Sequence, residues 1–332
     1  MADVLLDSSQ RCINYMRLSL TDRCNFRCVF CMPPEGMPFI PHKKILRYAE
    51  ILRLVQIFSS LGICHYKVTG GEPFCRKDIQ LFIRDLTKIP GVKEVTITSN
   101  GSLAEPYLQD LAQCGISSIT FSFPSFVPSV FQRVTRSAFN PEIVLHAMDR
   151  AAALGMRVKT NTVPLMGFNE ADIVPIARYA LERGFTARFI ELMPVGVGKH
   201  CVALPQKVIR STLEKTFGPL IPVEQKMGNG PAKVYGIAGY PGYVGFIAAM
   251  TDKFCATCNR VRLTSSGFFK TCLHHDKGVD LKGPIDSGAD DALLKRLVRQ
   301  AIRDKPSNHN FSFASSASKS CQSSPSMNAI GG

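Results

Sequence analysis

The chain has no long apolar run. The uncharged stretch Val234 to Met250 is broken by glycines and by Pro241, and it falls short of the roughly 20 residues that a spanning helix needs. No membrane segment is expected. The first ten residues, M-A-D-V-L-L-D-S-S-Q, carry two acids and no apolar core, which argues against a secretory signal. Acidic residues are scarce too: 26 stand against 40 lysines and arginines, a formal net charge of +14. Such an excess points to a polyanion, whether nucleic acid, an acidic protein or a phosphorylated small molecule. Charge alone does not choose among them.

Cysteine, by contrast, is plentiful, with 12 in 332 residues. Without a secretory signal, that number argues for a reducing compartment, the cytoplasm or a mitochondrial matrix, where thiols bind metal or stay reduced. Cys12, Cys64, Cys75, Cys114, Cys201 and Cys321 are scattered and read as small buried or surface residues. The other six form two triplets. Cys24, Cys28 and Cys31 lie within R-L-S-L-T-D-R-C-N-F-R-C-V-F-C-M-P-P, Arg17 to Pro34. Disulfide pairing would leave one of them over, and C-x3-C-x2-C suits a short loop around an inorganic core. Thiolates favour zinc or iron–sulfur clusters, and a cubane takes one cysteine per iron. Three ligands imply a fourth from elsewhere or an iron left open. Because the loop follows a strand-like run, Tyr15 to Leu20, an open iron there would be a catalytic device.

The second triplet is Cys255, Cys258 and Cys272. The residues between Cys258 and Cys272 alternate about a turn at Ser265-Ser266-Gly267 and read as a hairpin that returns Cys272 to the pair. His274 or His275 would complete a zinc ribbon, and a cluster suits the same thiols. Arg260 and Arg262 lie two apart on the first hairpin strand, so both guanidiniums share a face. Two forked cations on one face suit a polyphosphate.

From Tyr15 to about Phe217, short apolar runs alternate with segments of helical period, the pattern of repeated βα units on a parallel sheet. Six strands are expected: Tyr15–Leu20, Cys64–Thr69, Lys93–Thr98, Ile116–Ser122, Met156–Val163 and Phe185–Leu192. In the first helix Ile45, Tyr48, Ala49, Leu52, Val55 and Phe58 recur at helical spacing, with Lys43, Lys44, Arg47 and Glu50 mostly off that face. Six units make a partial (βα)6 TIM-type barrel, whose site belongs at the carboxyl ends of the strands. There lie the cysteine loop, Gly70-Gly71-Glu72-Pro73, Thr98-Ser99-Asn100-Gly101, Ser122, and Glu191 with Met193; Lys159 and Asn161 lie in strand five. Beyond Phe217–Pro222 proline, glycine and short β-like runs take over. The expected division is residues 1–220 as barrel, 221–306 as a β-rich and helical extension with the second triplet, and 307–332 as a serine-rich tail. Ala289 to Asp304 reads as an amphipathic helix, and the tail ends in Gly331-Gly332.

The first triplet, followed by G-G-E-P after the second strand, resembles the radical S-adenosylmethionine superfamily. R-L-S-L-T-D-R-C-N-F-R-C-x-x-C-M-P, C-A-T-C-N-R-x-R-L-T, K-P-x-x-H-x-F (Lys305 to Phe311) and the terminal Gly-Gly narrow the likeness, over nearly the whole chain, to the GTP 3′,8-cyclase family of molybdenum cofactor biosynthesis. That resemblance implies two [4Fe-4S] clusters, one on Cys24, Cys28 and Cys31 and one on Cys255, Cys258 and Cys272. It implies contacts to S-adenosylmethionine from Phe30, Gly71, Ser122 and Met193, and to GTP from Arg17, Lys67, Thr98, Lys159, Arg260 and Arg262. The implied reaction runs through a 5′-deoxyadenosyl radical that takes hydrogen from C3′ of GTP and yields 3′,8-cyclo-7,8-dihydro-GTP. A low-potential electron donor, a homodimer and a cyclic pyranopterin monophosphate synthase downstream are implied as partners, and the Gly-Gly end would reach into the pocket. Lys67, Phe30 and Phe123-Pro124 depart from the Arg, Tyr and Leu-Asp more usual at these places. A zinc-stabilised nucleic-acid-binding protein would also fit the charge, but it gives no reason for G-G-E-P at a strand end. A radical enzyme that modifies a peptide would lack Arg260, Arg262 and the Gly-Gly end.

Overall fold

Period-two runs that each hand over to a helical period fold into six βα units in succession. The computed structural model describes residues 4–225 and 227–309. Its barrel strands are β1 (Tyr15–Ser19), β2 (His65–Thr69), β3 (Glu94–Ser99), β4 (Ser118–Ser122), β5 (Arg157–Thr162) and β6 (Thr186–Ile190). The helices between and after them are α1 (Tyr48–Ser60), α2 (Ile79–Thr87), α3 (Leu108–Gln113), α4 (Pro128–Thr135), α5 (Pro141–Ala153), α6 (Ile173–Glu182) and α7 (Gln206–Phe217). There follow β7 (Ile221–Pro222), β8 (Lys233–Gly236), β9 (Tyr243–Ile247), β10 (Arg260–Leu263), β11 (Phe268–Lys270), β12 (Gly278–Asp280), α8 (Lys282–Asp286) and α9 (Asp291–Arg303). All six expected strands are present.

β1 to β6 lie side by side and parallel. The segment after residue 220 does not fold apart from them. β10 joins the outer edge of β1 and β9 that of β6, both in parallel, so eight parallel strands run in one open sheet. Antiparallel β11 and β12 continue beyond β10, and β8 and β7 continue beyond β9. The barrel-like sheet is therefore curved but not closed. Burying the outer face of this sheet under the helices removes its apolar side chains from water, the main favourable term in folding. Met16, Leu18, Val68, Ile97, Ile119 and Ala187 are buried there at 0–1% exposure.

Helix α1 differs from the sequence pattern in one respect. Glu50, expected off the buried face, is buried. Its carboxylate accepts the Arg47 N–H at 2.6 Å and the Arg47 guanidinium at 2.8 Å, closing a capping box that turns a charged side chain inward at the helix start. Helix α9 matches its expected span, with Leu294, Val298 and Ile302 buried and the Asp290 side chain accepting Leu293 N–H at its start. The last two residues of the expected motif, Asn310 and Phe311, the Gly-Gly end and Cys321 lie outside the described residues.

Candidate functional site

A five-residue strand at 3.3 Å per residue is roughly 17 Å long, and β1 runs between the ends of the sheet where the two cysteine triplets lie. Cys24, Cys28 and Cys31 follow its carboxyl end, whereas Cys258 lies two residues before β10, whose Arg260 is opposite Tyr15 at the amino end of β1. Cys272 returns to that same amino end because β11 runs antiparallel to β10. The hairpin expected between Cys258 and Cys272 is formed, and Gly267 takes the turn at φ +87°.

The first loop is held by backbone. Gly71 N–H donates to Thr21 O at 2.7 Å and Glu72 N–H to Arg23 O at 2.8 Å, which sews the G-G-E-P turn to the residues just before Cys24. A side chain at Gly71 would press into the carbonyl of Arg23 and come within 2.6 Å of its carbon. Within the loop Cys31 N–H donates to Cys28 O at 2.8 Å, Phe26 N–H points at Cys24 Sγ at 3.4 Å and Asn100 Nδ2 lies 3.8 Å from the same sulfur. Burial, and then the Glu72 carboxyl, pushes the Cys24 thiol up to about 12; burial, followed by Cys31 and Cys24, pushes Cys28 well above its usual range. Glu72 is itself pushed up to about 7 by burial, against donors from Asn100 N–H, Phe74 N–H and Ser99 Oγ. Cys24 and Cys28, buried thiols that resist ionisation, give up their protons readily to a metal, which supplies the missing positive charge. Among the described residues no three His, Cys, Asp or Glu side chains converge tightly enough for a single ion. A cubane asks for separate corners, one thiolate to each iron, and the residues of the first loop fit that demand.

Phe30 and Met193 come together: a Cβ on Gly198 would meet the carbonyl of Phe30 at 3.0 Å and that of Met193 at 3.1 Å. Ser122 ends β4 opposite Asn161 in β5, which in turn is opposite Arg188 in β6. Asn161 Oδ1 and Arg188 Nε are buried without a hydrogen-bond partner among the described residues. One row thus offers an unused acceptor and an unused donor on its inner face.

Below that row the inner face is cationic. Arg262, Arg17 and Lys67 are in register across β10, β1 and β2, and Thr98, Thr120 and Lys159 across β3, β4 and β5. Lys67 Nζ donates to Thr98 Oγ1 and Thr120 Oγ1 at 3.3 Å each, Arg188 Nη2 donates to Thr120 Oγ1 at 3.0 Å, and Lys159 Nζ donates to Met227 O at 2.9 Å. Burial and mutual repulsion weaken every one of these bases. Lys67 falls well below its usual range through burial, then Arg188 and Arg17; Lys159 falls to about 8 through burial, then Arg188; Arg262 falls to about 9 through burial, then Arg17 and Arg260. Like charges buried in one space are costly, and a bound anion relieves that cost. The six residues expected to meet GTP thus face one interior. Sequence reading missed a seventh, Arg188, although a lone arginine between the buried Ala187 and Phe189 was the available signal.

At the second triplet, burial acts to raise the Cys258 thiol, but Arg260 and Lys305 outweigh it and bring it to about 7. The histidines considered as fourth ligands have other neighbours: His275 Nε2 lies 3.0 Å from Asn308 O, and the His274 ring packs on those of His275 and His309. A cavity of about 980 Å³ on the outer face of β8 and β9 against α7, lined by Arg210, Lys233, Tyr235 and Phe254, reaches the second triplet at Thr257.

Residues 18–180 match the family described as Radical SAM superfamily, and residues 185–311 match Molybdenum Cofactor Synthesis C. The GTP 3′,8-cyclase of Pelotomaculum thermopropionicum is 38% identical over 309 residues, covering 92% of this chain and 95% of that protein. The chain belongs to the GTP 3′,8-cyclase family. Another member, from Syntrophomonas wolfei, is 39% identical over 311 residues with the same coverage. Membership of the GTP 3′,8-cyclase family makes the chain a radical SAM enzyme of molybdenum cofactor synthesis, working with S-adenosylmethionine and iron–sulfur clusters. It also removes the zinc-stabilised nucleic-acid-binding reading. The fold is shared more widely: a crystal structure of Streptococcus suis SuiB bound to S-adenosylmethionine superposes with a TM-score of 0.61 at 12% identity, over 87% of this chain and 67% of that one.

Proposed function

We propose that this chain takes GTP into the cation-lined interior between its two cysteine triplets and converts it to 3′,8-cyclo-7,8-dihydro-GTP. Cys24, Cys28 and Cys31 hold the first [4Fe-4S] cluster, and Cys255, Cys258 and Cys272 hold the second, toward the guanine. Phe30, Gly71, Ser122 and Met193 hold S-adenosylmethionine at the carboxyl ends of the strands. Arg17, Lys67, Thr98, Lys159, Arg260 and Arg262, joined by Arg188, hold the triphosphate. When bound, the first cluster with S-adenosylmethionine supplies the one-electron chemistry that abstracts hydrogen from the ribose.

The protein's own residues do the rest. The cations neutralise the triphosphate and fix the sugar by several charge-assisted hydrogen bonds at once. Lys67, where the family more often has arginine, gives a point charge in place of a fork. Burial of the inner face keeps water from reactive species. Roles divide along the chain, with residues 1–220 serving the cofactor, 221–306 serving the second cluster and the substrate, and 307–332 as a serine-rich tail. The proposal also includes a low-potential electron donor, a homodimer, a cyclic pyranopterin monophosphate synthase that takes the product, and a reducing compartment such as the cytoplasm.

The observation that supports it most directly is the unbroken run of cations across β10, β1 and β2, set between triplets at opposite strand ends. Anaerobic reconstitution with iron and sulfide, followed by reductant, S-adenosylmethionine and GTP, tests it. Two clusters per chain with GTP-dependent 5′-deoxyadenosine and cyclised product are expected. Deoxyadenosine formed at the same rate without GTP, and no cyclised product, would overturn the substrate assignment.

A further inference from the structure

Two cations are buried beside the second triplet, Arg11 and Lys305, and they are satisfied in different ways. Arg11, 7% exposed, pairs with the buried Asp7, Nε to Oδ2 at 2.6 Å. Its remaining donors clamp three carbonyls, Cys255 O at 2.8 Å, Pro306 O at 2.7 Å and Ser307 O at 3.0 Å, which ties the first cysteine of the triplet to the end of the described chain. Lys305, 3% exposed, lies on the other side. Its Nζ donates to Arg260 O at 3.0 Å, to Thr271 O at 2.5 Å and toward Cys258 Sγ at 3.9 Å. Three acceptors around one nitrogen call for three N–H bonds, and only the ammonium has three.

Carbonyl oxygens satisfy its hydrogen bonds without neutralising its charge. A buried charge without a counter-charge is costly, and buried ions are found paired or beside a metal centre. Arg11 takes the nearby carboxylate of Asp7, so it offers Lys305 no relief. The group facing Lys305 that can carry negative charge is the Cys258 sulfur of the triplet itself, 3.9 Å from Nζ. Both hydrogen-bonded carbonyls belong to residues adjoining that site, Arg260 two positions after Cys258 and Thr271 one before Cys272. The ammonium is thereby held at the waist of the hairpin, within reach of a ligand sulfur.

We propose that Lys305 is the built-in counter-ion of the second cluster, a positioning residue that sets both its retention and its reduction potential. The inference rests on the reading that Cys255, Cys258 and Cys272 hold a cluster. A cluster on three thiolates is anionic and gains one more negative charge on reduction, and potentials follow net charge and hydrogen bonds to sulfur. A fixed ammonium at a ligand sulfur therefore favours the reduced form and weakens loss of iron.

The test uses the full chain with Cys24, Cys28 and Cys31 each replaced by serine, so that iron reports on the second triplet alone. Iron and sulfide are counted after reconstitution, and the cluster is titrated with mediators under electron paramagnetic resonance. If this background takes up no cluster, the ligand assignment fails and the present inference fails with it. Given uptake, Lys305→Met is expected to lower the ratio of reduced to oxidised cluster at fixed potential by about tenfold, which for a one-electron couple is about 59 mV. Lys305→Arg, which keeps the charge, is expected to shift it far less. Loss of the cluster from Lys305→Met with native far-ultraviolet circular dichroism, and its recovery in Lys305→Arg, also supports the proposal. Equal iron and an unchanged potential in Lys305→Met overturn it, leaving the lysine as a tie between β10 and β11. So does loss of the fold itself in both variants.

Discussion

Lys159 carries a proton that the folded chain holds less tightly than the unfolded one. Burial, then Arg188 and Arg157, lowers it from 10.5 to about 8. Between those values the unfolded chain binds more protons, so this group makes ligand-free stability rise with pH across that window. Below about 8 its destabilising effect is fully present. A triphosphate reverses the sign: it restores the basicity of Lys159, so GTP binding takes up a proton above pH 8. Calorimetric titration should accordingly show GTP affinity falling as pH rises from 8 to 10, with a shallower fall in Lys159→Gln. An equally steep fall in that variant would remove Lys159 from the phosphate site. Arg188→Ala removes a charged hydrogen-bonding group worth about 1.5–3 kcal/mol, and GTP affinity should drop roughly ten- to hundredfold. Cluster content should stay unchanged. Affinity within twofold of the parent would assign Arg188 to Thr120 alone.

At the scale of elements, the G-G-E-P turn matters because it lies against backbone. Gly70 has φ +154° and Gly71 has the Arg23 carbonyl in the place of a Cβ. Gly71→Ala should push the cysteine loop off the turn. Overpacking of this kind costs about 1–3 kcal/mol, and the variant should lose iron at the first triplet while keeping it at the second, as read by iron analysis in single-cluster backgrounds. Full iron at both triplets would show that the loop can yield. Strands β1 to β6 were legible in the sequence because each is a short apolar run bounded by turn residues, and the hairpin was legible from its alternation about Ser265-Ser266-Gly267. Less legible were contacts between residues far apart in the chain. Nothing in K-V-Y-G or Y-V-G-F-I says that β9 will pair with β6, since both edges of an open sheet accept any strand of suitable register. Arg188 went unread because a single arginine inside an apolar run looks the same whether it faces solvent or a ligand. Arg11 went unread as well, since its partners Asp7, Cys255 and Ser307 share no sequence neighbourhood.

Six of the chain's lysines and arginines, Arg17, Lys67, Lys159, Arg188, Arg260 and Arg262, share the inner face of the sheet, where crowding like charges costs stability and a bound polyanion would restore it. A ligand that binds only the folded chain raises its melting temperature with concentration, and the division of roles at residue 220 is not a division of folding. A chain ending at residue 220 leaves β1 and β6 as bare parallel edges, which attract further strands. It should elute as aggregates in size-exclusion chromatography, and a monodisperse, cooperatively melting fragment would show that the first part folds alone. The same topology has a consequence in time. Asn14 and Asn259 meet across 245 positions of sequence, and at about 5–20 residues per second a ribosome takes roughly ten to fifty seconds to deliver the strand that covers β1. Throughout that interval the nascent chain presents an unsealed sheet edge to every neighbour, so its yield in a cell depends on chaperone capacity before any iron is inserted.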